Sequence, residues 1–182
     1  MALELNGTTG VSLVQDGVVT AADLASGAIT SAALPTGSVL QVVQTVTGTE
    51  ISTNLDYAQA SGITVSITPS STSSKILIIA DVAAWIQYGS NANKIAKYAL
   101  RLNSDGNTVV SQKRFGFQSG SQTNTDMGCG LILMYLHSPN TVSQQTYEIV
   151  FGRWSSSYDN TVYVNGGWDD SATSITAMEI AG

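Results

Sequence analysis

The chain is poor in charge, in cysteine and in histidine, and each scarcity excludes a class of protein. Charged residues make up 11% of the 182 residues, well below the usual quarter, and the seven Lys and Arg residues are scattered without a basic run. Because a protein that grips a phosphate backbone needs a basic patch, we expect no nucleic-acid partner. Cys129 is alone, which excludes an intrachain disulfide. Its apolar neighbours favour a buried, inert thiol over a reactive one.

Long apolar runs are absent as well. No segment approaches the roughly 20 consecutive apolar residues of a membrane-spanning helix. The stretch Met1–Leu5 lacks the positive and apolar regions of a signal peptide. We therefore expect a protein that is made in a cytoplasm and does not insert into a membrane.

Groups that carry catalysis or bind metals are sparse. His137 is the one histidine, and no G-x-S-x-G motif supplies a nucleophile for it, so a triad is not expected. Adjacent carboxylates such as Asp169 and Asp170 point to opposite faces of a regular strand, which argues against a glycosidase pair. A calcium site that adds Asp159 and Asn160 lacks the D-x-D-x-D-G pattern, which favours a solvated acidic turn. We predict a protein that is not an enzyme and has no cofactor or metal.

What the chain does have is the alternation of β-strands separated by turn signals. The stretch Ile63–Ile67 alternates apolar and polar residues until Pro69, and Ile76–Ile79 is a run typical of a strand covered on both faces. The segment 128–136 is apolar enough for a strand or for a buried helix. Strand-like segments occur at 38–47, 63–67, 75–88, 98–102, 109–110, 128–136, 142–154, 161–164 and 174–180. We predict an all-β head over residues 37–182, a β-sandwich or jelly roll.

The residues before the head contain a repeat. Two ten-residue blocks, 17–26 and 27–36, repeat Gly, Thr, Ala and Leu in step, and Thr20 and Thr30 are suited to cap short helices. One or two helical turns are too short to be stable alone. The apolar residues of the blocks are Val19, Leu24, Ile29 and Leu34. They are too few to close a core, so we expect residues 1–36 to form an extended arm that packs against copies of itself in a homotrimer. A tail with chance similarity is the alternative.

Three aromatic residues in polar loops are candidates for contact with a glycan or receptor. Trp154 and Tyr158 flank three serines, and Trp168 precedes two aspartates. An aromatic ring beside hydroxyl and amide groups is a common way to hold a sugar. The alternative for each residue is a structural role in the core or at a trimer interface.

Both parts of the chain resemble one family. The arm pattern Gly-x-Ile/Val-Thr-x-x-x-Leu-Ala-x-Gly-Ala is similar to repeats in the stems of phage tail-fibre proteins, and residues 37–44, 66–78 and 175–180 resemble head modules of virion proteins of marine and cyanobacterial phages. The resemblance implies a trimeric, jelly-roll-like head, a location in the virion, and an arm held by other virion proteins.

The sequence therefore predicts a non-enzymatic structural protein of a phage particle. The favoured form is a trimeric tail fibre whose head contacts a host surface glycan. A capsid decoration protein or head fibre is the alternative within this class, and a free sugar-binding lectin is the alternative outside it.

Overall fold

The computed structural model describes residues 5–6, 10–11, 34–56, 59–87, 93–103, 108–118, 126–166 and 171–182. The chain divides into two compact units, 1–35 and 36–182. In the first unit, strands β1 (Leu5–Asn6) and β2 (Gly10–Val11) pair antiparallel. The predicted helical turns of the arm lie outside the described residues.

The second unit is built from strands alone in the part that the structure describes, because its segments alternate apolar and polar residues with a period of two. Its strands are β3 (Val39–Thr47), β4 (Ile51–Thr53), β5 (Gln59–Ile67), β6 (Lys75–Gln87), β7 (Asn93–Leu102), β8 (Thr108–Gln118), β9 (Met127–His137), β10 (Gln145–Arg153), β11 (Thr161–Val164) and β12 (Thr173–Ile180). The segment 128–136, which the sequence left open between strand and helix, is a strand.

Eight of these strands form two four-stranded antiparallel sheets. One sheet has the order β5-β10-β7-β8. The other contains β3, β12 and β6 in that order, and β9 also pairs with β6. Strand β6 pairs with β12 through residues 75–81 and with β11 through 84–87, while β9 pairs with residues 76–86. Strand β9 must therefore occupy the other edge of β6, which gives the order β3-β12-β6-β9. The short strands β4 and β11 extend this second sheet.

The path of the chain between the sheets is that of a jelly roll. The chain runs from β3 to the opposite sheet at β5, returns at β6, and crosses again for β7 and β8. It returns for β9, crosses for β10 and ends with β12 between β3 and β6. Two antiparallel four-stranded sheets connected in this order are the jelly-roll arrangement, so the predicted fold class is confirmed.

The inner faces of the two sheets form one hydrophobic core. Every second residue of β6 and β7 points into it, and Tyr98, Ile78 and Leu133 are fully buried. Burial of each large apolar side chain contributes roughly 1.5–3 kcal/mol. The Tyr98 hydroxyl lies across the core from its own sheet, where it accepts a hydrogen bond from the Trp85 backbone N–H (3.2 Å) and donates to the Tyr163 carbonyl (2.7 Å). Burial is the main cause of a raised pKa for Tyr98.

One end of the core is closed by a buried carboxylate. Glu179 on β12 accepts hydrogen bonds from the Ser70 backbone N–H and hydroxyl, both at 2.7 Å, and from the Gln41 amide at 2.6 Å. Burial disfavours ionisation, but the hydrogen bonds from Ser70 and Gln41 outweigh it and lower the pKa of Glu179 below its ordinary value. The serine-rich turn between β5 and β6 therefore has a structural role, which is to hold this carboxylate.

The pH dependence of stability tests that role. Because the folded-state pKa of Glu179 is lowered, its contribution to the free energy of unfolding is present above about pH 5 and is lost as the pH falls through the folded-state pKa. We expect Glu179→Gln to flatten the loss of stability below pH 5, measured by urea denaturation at several pH values. The control is Glu50→Gln at an exposed position. Equal slopes for wild type and Glu179→Gln would contradict this role.

Candidate functional site

The outer face of the β5-β10-β7-β8 sheet places two cations on one indole ring. Trp154 follows β10, and its backbone N–H donates to the Ile95 carbonyl on β7 (2.9 Å). The Lys97 Nζ and the Arg114 Cζ each lie 3.9 Å from the centroid of the Trp154 ring. Such cation–π contacts contribute about 0.5–1 kcal/mol each when exposed. The contacts fix the ring of Trp154 against the sheet.

Lys97 on β7 and Arg114 on β8 are direct cross-strand partners. Like charges in this position repel each other. Partial burial, and then the charge of Arg114, lower the pKa of Lys97 below its ordinary value. Arg114 is exposed and Lys97 is half-buried. Arg114 therefore presents its positive charge to solvent beside Trp154.

The loop after β10, which follows Trp154 directly, carries several hydroxyl groups. The Ser155 and Ser157 hydroxyls are hydrogen bonded at 2.9 Å, and the Tyr158 N–H donates to the Ser155 carbonyl at 3.1 Å. The Arg153 Nη1 donates to the Tyr158 carbonyl, which ties the loop to the end of β10. Two of the three predicted contact residues, Trp154 and Tyr158, thus share one loop. The third, Trp168, lies outside the described residues.

The other sheet has an outer surface of different character. Val42, Met178, Leu77 and Leu136 stand in one register row across β3, β12, β6 and β9. We define the apolar face as the outward side chains of this row and its neighbours: Val39, Val42, Val46, Leu77, Ile79, Ile132, Met134, Leu136, Met178 and Ile180. The six of them on the edge strands β3 and β9 are between 51% and 59% exposed.

Charge is nearly absent from the apolar face. Among the described outward side chains of its four strands, Lys75 and Asp81 are the charged ones, and both are exposed on β6. Asp81 pairs in register with Ser174 and Ile132 at one end of the face, and Lys75 pairs with Ile180 at the other end. The stretch of the sheet between them has no formal charge.

The remaining predicted residues have structural surroundings or lie outside the described residues. Val19, Leu24 and Ile29 of the arm are outside them, and Leu34 is 38% exposed. Cys129 points inward on β9 but is half-buried, because it lies near the end of an edge strand. Burial raises the pKa of its thiol, which favours the unreactive form.

His137 has a polar partner in the core wall. Its Nδ1 lies 3.0 Å from the Tyr147 hydroxyl, and burial is the main cause of a raised pKa for Tyr147.

In the part of the chain that the structure describes, no group of three His, Cys, Asp or Glu residues could hold a metal ion. No helix among those residues is long and apolar enough to cross a membrane.

No family model and no curated protein matches the chain. Among solved structures, it is similar to the VP2 subviral particle of infectious bursal disease virus, at 12% identity and a TM-score of 0.38, covering 78% of this chain and 33% of VP2. It is also similar to an arabinose-bound α-L-arabinofuranosidase, at 11% identity and a TM-score of 0.32, covering 82% of this chain and 24% of the enzyme. The chain thus spans a third or less of these proteins, and likenesses at this level do not bear on its function.

Gly116 determines how closely β8 approaches β7 beside the Trp154 site. Its φ is 144°, and a Cβ built there would lie 1.9 Å from the Lys94 carbonyl oxygen. We expect Gly116→Ala to lower the free energy of unfolding by about 2 kcal/mol or more, because both the backbone and the neighbouring strand must shift. The control is Gly130→Ala, where the nearest atom lies at 3.9 Å. Equal denaturation midpoints for the two variants would contradict this description of β8.

Proposed function

We propose that the chain is a non-enzymatic structural protein of a bacteriophage particle, a homotrimeric fibre. Residues 37–182 are its head, and residues 1–36 are the arm that joins the three chains and attaches them to other virion proteins. The resemblance of the arm repeats and head segments to phage fibre proteins supports the virion location. The observation that carries the proposal is the apolar face, because a surface of this kind is expected on a component of an assembly.

The extent and composition of the apolar face support the proposal that a second copy of this chain covers it. Four strands spaced about 4.8 Å apart, over roughly eight residues of about 3.3 Å each, give the outer surface of this sheet an area of about 500 Å², and the polar side chains of Gln44, Ser174 and Thr176 occupy part of it. Exposed apolar patches of roughly this size mark interaction sites on soluble proteins. A standard interface buries about 800 Å² per partner, so the face can supply the core of one. Interfaces between identical subunits are more apolar than those between transient partners, which matches the lack of charge here.

The edges of the same sheet also need protection. Strand β9 is 11 residues long, Met127–His137, and contains no Pro, Lys, Arg, Asp or Glu. Strand β3, Val39–Thr47, at the other edge has none of these residues either. An exposed edge strand usually carries such residues because it otherwise pairs with other chains and aggregates. Defined contacts between subunits at both edges would remove this hazard.

In a cyclic trimer these two edges can meet in a closed arrangement. The exposed apolar residues of β3 and of β9 lie on the same side of one sheet but at opposite edges. If the apolar faces of three copies point toward a common axis, the β3 residues of one head contact the β9 residues of the next. A contact between two different surfaces that closes after three copies gives cyclic symmetry. The arm would hold the three chains in this register.

One pair of variants tests the contribution of the apolar face. Val42 in the face and Val142 in the loop after β9 are 56% and 52% exposed, so the same change can be made at both. We expect the full chain to sediment as a trimer of 19.0 kDa subunits. Val42→Glu should lower its association constant at least tenfold, because a carboxylate in an apolar interface loses its hydration. Val142→Glu should leave the mass unchanged.

The contributions of head and arm are separated by a third variant. Leu24→Glu should weaken the trimer if the repeats join the chains. A monomeric wild-type chain at micromolar concentration would contradict the trimeric fibre. A trimer that tolerates Val42→Glu as well as Val142→Glu would remove the apolar face from the interface.

A further inference from the structure

The fold gathers the few cations of this acidic chain onto one sheet. Six of the seven Lys and Arg residues lie in strands β7, β8 and β10, although the net charge of the chain is −6. These six are Lys94, Lys97, Arg101, Lys113, Arg114 and Arg153. The four strands of this sheet contain one acidic residue, Glu148. The sheet opposite the apolar face is therefore positive within a negative protein.

Part of this charge is neutralised within the fold. The Arg101 Nη2 lies 2.5 Å from the Glu148 Oε2, which also accepts a hydrogen bond from the Asn103 amide. The Arg153 Nη2 lies 3.8 Å from the Asp56 Oδ1 at the end of the sandwich. Lys94 is buried. On the outer face of the sheet the exposed cation is Arg114, because its neighbour Lys113 pairs with Tyr98 and so lies on the other face of the edge strand β8.

Arg114 and Lys97 converge on the ring of Trp154 at 3.9 Å each. Like charges on cross-strand partners repel each other. The lowered pKa of Lys97 reflects partial burial and this repulsion. The hydroxyl groups of the Ser155–Ser157 loop and the ring of Tyr158 adjoin the same place along the chain. The site thus combines positive charge, an aromatic ring and hydrogen-bonding hydroxyls.

We infer that this cluster, formed by Lys97, Arg114, Trp154 and the 155–158 loop, binds an anionic glycan. A carboxylate or sulfate on the sugar accepts hydrogen bonds from the exposed guanidinium of Arg114. The serine hydroxyls and the Tyr158 ring are suited to the adjoining sugar hydroxyls and C–H groups. This inference deepens the proposed function, since it names the class of surface polysaccharide that a fibre head would contact.

The size of the cluster favours a sparsely charged polymer over a nucleic acid. Binding along a phosphate backbone uses a basic stripe that makes many contacts. Here one exposed cationic centre stands on a protein whose net charge repels a dense polyanion. Acidic polysaccharides carry separate charges on neutral rings, which matches one cationic centre beside hydroxyl groups.

The test is binding of the full chain to hyaluronate, which has one carboxylate on every second ring, and to κ-carrageenan, which has one sulfate on every second ring, with uncharged dextran and single-stranded DNA as comparisons. These two anionic probes distinguish carboxylate from sulfate recognition. We expect binding to at least one of them, weakening between 50 and 200 mM salt, about the range over which charge is increasingly screened. Arg114→Gln should weaken it at least tenfold. Lys75→Gln, which also removes one positive charge but lies on the opposite sheet, should leave it unchanged.

Several outcomes would overturn the inference. The wild-type chain could bind neither anionic polysaccharide, or could bind uncharged dextran equally well or DNA more tightly. Arg114→Gln and Lys75→Gln could also weaken polysaccharide binding by the same factor. The native mass of each variant is measured in parallel. If the chain is a monomer and its polysaccharide binding still depends on Arg114, the trimeric fibre is contradicted and this inference stands. If the chain is a trimer that binds no anionic polysaccharide, this inference is contradicted and the trimeric fibre stands.

Discussion

Strand β6 carries apolar side chains on both of its faces, and the second sheet of the sandwich can cover one of them. Ile76 and Ile78 point into the core and are fully buried, whereas Leu77 and Ile79 point outward and are half-buried. Valine, leucine, isoleucine and methionine on the neighbouring strands stand beside them, with Gln44, Ser174 and Thr176 as polar members, so most of the outer surface of this sheet is apolar. An antiparallel sheet in a monomer normally presents polar residues there. The assembly that we propose follows from this constraint, because water is a poor solvent for such a surface.

The two sheets divide the chemistry of the head between them. The β3-β12-β6-β9 sheet has an outer surface almost without charge, and the β5-β10-β7-β8 sheet carries nearly all of the cations. In a trimer whose apolar faces turn inward, the cationic sheet of each head faces outward. The positions of Arg114 and Trp154 then make them accessible to a surface polysaccharide. Assembly and ligand binding would use opposite sides of one sandwich and would not compete.

Local patterns in the sequence predicted most of the fold. Alternation marked strands such as Ile63–Ile67, and the run Ile76–Ile79 predicted a strand covered on both faces, although the chain by itself covers one. The three-residue strand β4 was not predicted, because Ile51–Thr53 is too short to show a period. Residues 128–136 could not be assigned from periodicity, because a strand that is apolar on both faces has none.

The candidate sites were less predictable, because they depend on which strands become neighbours. Lys97, Arg114 and Trp154 are scattered along the chain, and only the pairing of β7 with β8 and β10 brings them together. The sequence therefore predicted Trp154 and Tyr158 as sugar contacts but gave no sign of the cations beside them. The apolar face did have a signal in Ile132, Met134 and Leu136, but the sequence left residues 128–136 open between a strand and a buried helix and so did not assign these side chains to an exposed surface. The serine-rich turn before β6 resembled a family motif, and its structural reason, the carboxylate of Glu179, required the fold.

The central claim is that copies of the chain cover the apolar face, and Met134 reports on it directly. Its side chain is 55% exposed in the single chain, so hydrogen peroxide should oxidise it readily unless another subunit covers it. The measurement is the rate of Met134 oxidation in the full chain, followed by mass spectrometry, against free methionine in the same solution. Our account predicts oxidation at least tenfold slower than that of free methionine, and fast oxidation once urea unfolds the protein. Oxidation of Met134 in the folded chain at the rate of free methionine would contradict the account.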